Sequence, residues 1–181
     1  MKTIAGPIFA IVTPFQTSGE IDFTALEHYL SFLQEKGVET ILTNGTTAEF
    51  PSLSLAERMT LVQHCRQGFQ GTLLNNVSSC CLSDSFKLID HSANYADAVV
   101  TLPPYYYAHL PELGILSFFR AILQHSSLPV YLYHFPKHTQ NAITPSMVEI
   151  LVKEYDHLIG IKDSEANLET ALKFKTCKIG T

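Results

Sequence analysis

The sequence predicts an α/β fold built on a parallel sheet, and three observations carry that expectation. Short apolar, β-branched runs alternate with longer segments of helical period. Polar, reactive residue types gather just after several of those runs, and no linker, repeat or low-complexity tract interrupts the alternation. Strand–helix repetition at this spacing calls for right-handed crossovers between parallel neighbours. A doubly wound sheet and a closed barrel both satisfy it. The dinucleotide fold wants a glycine-rich turn after its first strand, where this chain has Thr13-Pro14-Phe15. Reactive residues at the carboxyl ends of several strands suit the active face of a barrel, so the barrel is expected. The chain has 181 residues, whereas a complete eight-fold barrel typically takes about 250. The expectation is therefore one partial TIM-type (β/α)8 domain over residues 1–181, with about six βα units plus the start of strand seven.

Element by element, Ile8–Thr13 reads as the first strand, ending before Pro14. Phe23, Leu26, Leu30 and Leu33 mark one face of a helix that stops at Lys36-Gly37. Thr40–Thr43 is the second strand. A helix over Ser54–Gly68 opens with a Ser-x-x-Glu capping box, Ser54-Leu55-Ala56-Glu57. Strands follow at Thr72–Val77, Ala98–Leu102, Val130–Tyr133 and Leu158–Lys162. Helices alternate with them at Ser83–Tyr95, Pro111–Gln124, Pro145–Tyr155 and Asn167–Lys173, and a stub at Cys177–Gly180 would begin strand seven.

Composition excludes several function classes. Lys and Arg number 12 against 17 Asp and Glu, for a formal net charge of −5, and no basic cluster is present to track a phosphate backbone. Nucleic acid is not an expected partner. The apolar amino-terminal stretch is broken by Gly6-Pro7 and again by Pro14, and no run is long enough to span a bilayer, so neither a signal peptide nor a membrane partner is expected. Cys65, Cys80, Cys81 and Cys177 lack C-x-x-C spacing, and a bridge between the adjacent pair would be strained. Four free thiols in a reducing cytoplasm is the simple reading. Of eight histidines only His134 and His138 stand four apart, in an expected loop without carboxylate or thiol companions; a solvated face is expected there, and no metal site.

The segment with the clearest chemistry is Gly160-Ile161-Lys162-Asp163-Ser164. Strict alternation puts Ile159 and Ile161 on one strand face and Leu158, Gly160 and Lys162 on the other. An inward ammonium is costly unless paired or deprotonated. A desolvated lysine of lowered pKa is the usual amine nucleophile toward a ketone; a strand-end lysine that snorkels to water is the alternative. Tyr131 and Tyr133 share a face, either as core aromatics or with a buried phenol able to relay a proton. After the second strand, Gly45-Thr46-Thr47-Ala48-Glu49 offers a hydroxyl pair and backbone amides that suit a carboxylate, and that equally suit a capped turn. Tyr105 to Tyr107 read as a loop plug or an oligomer contact, Glu49 as a loop anchor and Asp163 as structural.

Four segments in order, Val12-Thr13-Pro14-Phe15, Gly45-Thr46-Thr47-Ala48-Glu49, Tyr131-Leu132-Tyr133-His134-Phe135-Pro136 and Gly160-Ile161-Lys162-Asp163-Ser164, resemble the dihydrodipicolinate synthase / N-acetylneuraminate lyase family of Schiff-base-forming barrel enzymes. The resemblance runs from residue 6 to the end of the chain. It implies that Lys162 forms an imine with the keto carbon of a pyruvate-type substrate, and that Tyr133 shuttles the proton with help from the Thr46 hydroxyl. It implies that Thr47 and the amides of the turn beginning at Gly45 hold the substrate carboxylate. Tyr106 matches the tyrosine that family members donate across a subunit interface, and Gly160 would leave room for the substrate beside the lysine. A small 2-keto acid and an aldehyde are the implied partners, in a homo-oligomer. No cofactor or metal is implied, because the lysine itself is the electron sink.

Two departures shape the expectation. Pro136-Lys137-His138 puts His138 where the synthase branch carries an arginine for its second, carboxylate-bearing substrate, and His134 stands where many members have asparagine. Both move the expectation from the synthase proper toward a lyase or aldolase acting on a sugar-derived or other 2-keto acid. The second departure is the missing end: the last two barrel units and the carboxy-terminal helices are not in the sequence. Unpaired edges at Ile8–Thr13 and Cys177–Gly180 then predict poor solubility and little turnover. The rival expectation is a catalytically silent, truncated fragment serving as an interaction module or surviving as a gene remnant.

Overall fold

Local signals place the elements of this chain, and long-range pairing then trims them. The computed structural model describes residues 4, 6–177 and 179. They fall into two compact units, Met1–Asn76 with Asp90–Ala98, and Val77–Ile89 with Val99–Thr181.

In the first unit, β1 (Phe9–Ala10), β2 (Thr40–Thr43) and β3 (Thr72–Asn76) lie parallel in that order. Every residue of β2 and β3 is buried, the polar Thr40, Thr43, Thr72, Asn75 and Asn76 as well as the isoleucine and leucines between them, as in a sheet covered on both faces. β1 is shorter than the expected Ile8–Thr13: Phe9 and Ala10 pair with Ile41 and Leu42, and Ile8, Phe9 and Val12 stay 40%, 42% and 46% exposed. Helix α1 (Phe23–Glu35) buries Leu26, Leu30 and Leu33 against Ile41, Leu61, Val62 and Phe69, which is the stripe its sequence period described. Asp22 caps its start by accepting from the Ala25 amide, and Gly37, at φ +75°, turns the chain out of its last turn.

Helix α2 (Leu55–Gly68) has the reciprocal cap its sequence announced: the Glu57 amide donates to Ser54 Oγ at 3.3 Å and the Ser54 amide to Glu57 Oε2 at 2.8 Å. The Ser54 hydroxyl and amide hold the Glu57 carboxyl below its ordinary value. Ser54→Ala is expected to cost about 1 kcal/mol, read as a lowered urea midpoint at neutral pH. A depressed folded-state pKa stabilises above the unfolded-state value and loses that contribution as pH falls through the folded one. The gap between variant and parent should therefore narrow as the carboxylate range is crossed downward. An unchanged midpoint at neutral pH would show that the box contributes nothing.

The second unit holds β4 (Ala98–Thr101) from Val99 on, β5 (Val130–His134) and β6 (Leu158–Asp163), parallel and in that order. Around them run α4 (Glu112–His125), a short α5 (Pro136–Thr139), α6 (Pro145–Glu154) and α7 (Leu168–Thr176), while α3 (Leu82–Ser92) is divided between the units. Thr144 and Asn167 cap α6 and α7 through the amides of Met147 and of Glu169 and Thr170. Ile115, Phe119, Ile122, Val148 and Leu151 bury the inner faces of α4 and α6.

Three expectations need correction. The register of β5 and β6 slips by one residue: Val130 stands opposite Leu158, but Tyr131 stands opposite Gly160. The extra residue, Ile159, is a bulge, and it moves Leu158 off the lysine's face, so Gly160 and Lys162 share theirs with Tyr131 and Tyr133. His134 belongs to β5 rather than a loop and is 1% exposed, so no solvated histidine face forms with His138, which sits on α5. The stub expected at Cys177–Gly180 lies partly outside the described residues; of those described, Cys177 caps α7 and Ile179 sits in a turn. Among the described residues no helix is long and apolar enough to cross a membrane.

Candidate functional site

The face shared by β5 and β6 carries two cross-strand pairs, Tyr131 with Gly160 and Tyr133 with Lys162. Lys162 Nζ lies over the Tyr133 ring, 3.5 Å from its centroid. Tyr133 is 2% exposed, whereas Lys162 is half-buried, so the lysine is not sealed in the interior as strict alternation suggested. Gly160 makes the neighbouring pair possible. A Cβ there would run into the Tyr131 ring, so the glycine accommodates an aromatic of its own chain. Burial pushes the Tyr131 phenol above its ordinary value and keeps it protonated.

On the opposite face, His134 ties together the ends of these strands. Its Nδ1 accepts the Ile143 amide at 3.1 Å, which leaves Nε2 to carry the proton, 3.4 Å from Glu165 Oε2. Its ring meets Phe174 edge to face at 5.2 Å, and its carbonyl accepts the Ser164 amide at 2.9 Å. Asp163 faces away from Lys162, as expected, and accepts from the Glu165 amide at 2.9 Å.

Beyond β5, Phe135 stacks on Tyr133 with centroids 5.6 Å apart, and His138 meets Phe135 edge to face at 4.3 Å. His138 and Lys137 are both exposed. Tyr106 is 80% exposed, in a loop where its ring meets that of Tyr107 at 5.2 Å.

The turn after β2 belongs to the first unit. Gly45 is buried, and Thr46 and Thr47 are exposed. The turn is closed by the Ala48 amide on the Gly45 carbonyl at 3.1 Å and the Glu49 amide on the Thr46 carbonyl at 3.0 Å. Thr13 secures it, its hydroxyl donating to the Ala48 carbonyl at 2.8 Å, and Glu49 ends it at φ +58°. Beneath lies a buried amide network that sequence reasoning missed. Asn44 Nδ2 donates to the Arg58 carbonyl at 3.0 Å and to Asn75 Oδ1 at 2.8 Å, and Asn76 Nδ2 donates to the Asn44 carbonyl at 2.7 Å. The one available signal was an asparagine between a strand and a glycine, a residue tolerant of the left-handed region.

Residues 3–179 match the dihydrodipicolinate synthetase family. A DapA-like lyase of Pyrococcus horikoshii, described as uncharacterized, is 38% identical over 164 residues, which is 90% of this chain and 56% of that protein. The 2-keto 3-deoxygluconate aldolase from Picrophilus torridus superposes with a TM-score of 0.90 at 26% identity, covering 94% of this chain and 62% of the other. A prophage protein of the dihydrodipicolinic acid synthase family from Escherichia coli K12, solved in complex with pyruvate, superposes with a TM-score of 0.88 at 25% identity over 92% of this chain and 57% of its own. The fold is therefore the expected one, an incomplete TIM-type barrel, and the chain spans little more than half the length of the relatives it matches.

Proposed function

The chain belongs to the dihydrodipicolinate synthetase family, and on that premise we propose that it forms a lysine Schiff base with pyruvate or a related 2-keto acid and makes or breaks a carbon–carbon bond to an aldehyde. The observation that carries the reading is Lys162 Nζ resting 3.5 Å from the centroid of the Tyr133 ring, in matched register on adjacent strands. An amine and a phenol are thereby paired in one place.

In this reading the neutral amine of Lys162 adds to the keto carbon to give a carbinolamine. The carbinolamine hydroxyl takes a proton from Tyr133 and leaves as water, giving the iminium. The Tyr133 phenolate then takes the C3 proton as the enamine forms, and returns it to the aldehyde oxygen as the enamine carbon bonds to the aldehyde carbon; water adds to the resulting iminium, restoring the Tyr133 phenol and freeing the lysine, and cleavage is the reverse. Thr46 takes the assisting-hydroxyl role, and Thr47 with the Gly45 turn takes the carboxylate; the exposure of both threonines supports this assignment. Tyr106, with 80% of its surface exposed, suits a phenol presented to a partner subunit of a homo-oligomer.

His138 supports a lyase or aldolase over the synthase proper. A histidine cannot form the bidentate fork that arginine offers a carboxylate.

Pyruvate followed by borohydride is expected to leave one stable adduct on Lys162, found by intact mass and peptide mapping. A folded chain that gains no adduct favours the catalytically silent reading, and an adduct on another lysine refutes the assignment.

A further inference from the structure

We propose that Asn141 is a positioning residue: its carboxamide locks the loop 104–110, and with it Tyr106, to the segment that carries Lys137 and His138. The importance given to Tyr106 rests on the function proposed above; the locking itself does not.

Asn141 is 2% exposed, and its side chain serves the neighbouring loop from both ends. Nδ2 donates to the carbonyls of Pro104 at 2.8 Å and Tyr107 at 2.7 Å, and shares a proton with Thr139 O at 3.0 Å. Oδ1 accepts the Leu110 amide at 2.8 Å. One carboxamide therefore spans the loop from its first residue to its last. Beside it the His109 amide donates to the Gln140 carbonyl at 3.3 Å, and both residues take positive φ, +55° and +54°. Asn141 is itself held, because its amide donates to Thr139 Oγ1 at 3.2 Å and that hydroxyl donates to the Asn141 carbonyl at 3.0 Å.

Most of the loop faces solvent. It forms no regular structure, and Tyr106, Tyr107, Ala108 and His109 are all exposed, so side-chain burial contributes little. Four of its residues are exposed, while its backbone bonds to one buried side chain at both ends, with the His109–Gln140 bond beside them. The consequence is mechanical: the tyrosine loop and the Lys137–His138 segment move together or not at all. A displacement of about 1 Å at a reacting group can cost about a hundredfold in rate.

The simpler account of Asn141 is a space-filler, and Asn141→Asp separates the two. Aspartate has the same shape and keeps an acceptor for Leu110, but it loses both donors and turns a charge on the carbonyls of Pro104, Tyr107 and Thr139. The sequence contains no tryptophan, so Tyr106→Trp puts a single emitter in the loop. Adding Asn141→Asp to that chain is expected to lower the tryptophan anisotropy, with the far-ultraviolet circular dichroism unchanged. Equal anisotropy in the two chains would overturn the proposal.

Should the double variant fail to fold, hydrogen exchange on the unaltered chain decides. The Leu110 and His109 amides are expected to exchange at least about tenfold more slowly than their free-peptide rates, and exchange at those rates refutes the lock. Borohydride trapping run alongside keeps the two proposals apart. An adduct on Lys162 with an unmoved emitter sinks only the role of Asn141. A loosened emitter without an adduct sinks only the Schiff base.

Discussion

Tyr133→Phe is expected to slow turnover of pyruvate with an aldehyde by about two to four orders of magnitude, equivalent to about 3–5 kcal/mol of barrier. The substitution is clean because of how the ring is held. Tyr133 is 2% exposed, carries Lys162 Nζ on its face and stacks on Phe135 at 5.6 Å. Phenylalanine keeps both ring contacts and removes one hydroxyl. The stability cost of a lost hydrogen bond is about 1 kcal/mol, well below the catalytic effect, so the two separate in a melt and a rate assay. The rate of the borohydride-trappable adduct should fall with turnover, since the phenol also serves loss of water from the carbinolamine. Turnover within a few-fold of the parent would return Tyr133 to the core-aromatic reading.

Asn44→Ala is expected to destabilise the chain by about 2–4 kcal/mol, the largest stability effect among these predictions. Asn44 is fully buried at φ +54°, and its amide serves the Arg58 carbonyl and Asn75 Oδ1 together. Alanine strands both acceptors where water cannot reach them. It also forces a Cβ-bearing residue without a local hydrogen bond into the left-handed region, at about 1 kcal/mol. Asn44→Gly loses the same hydrogen bonds but not the backbone comfort, so it should recover about 1 kcal/mol of the deficit. The measurement is a thermal melt, in which a loss of this size moves the midpoint by about 5–15 °C. A midpoint for Asn44→Ala within about 2 °C of the parent would show that the network is ornamental. Because Asn44 immediately precedes Gly45, weakened pyruvate trapping in the folded fraction would also tie the network to the carboxylate turn.

Local chemistry determined much of this protein on its own. The Ser54–Glu57 box, the Leu26–Leu30–Leu33 stripe and the short runs Thr40–Thr43 and Thr72–Asn76 are short-range signals, and each formed where its residues required. Lys162 and Tyr133 were legible as candidates because a lysine closing an apolar strand and a tyrosine pair on one strand face are unusual in themselves. Their adjacency was not legible. It depends on the β5–β6 register, and the bulge at Ile159 that sets this register also reassigned Leu158 and gave Gly160 to the Tyr131 ring. His134 looked like a loop residue until Ile143, Glu165 and Phe174 closed around it. Asn44 and Asn141 carried no periodic signal, because their partners stand 31 and 37 residues away in Asn75 and Pro104. A polar side chain reads as surface or turn until the fold supplies the groups it must satisfy, and only tertiary structure brings those groups within hydrogen-bond reach.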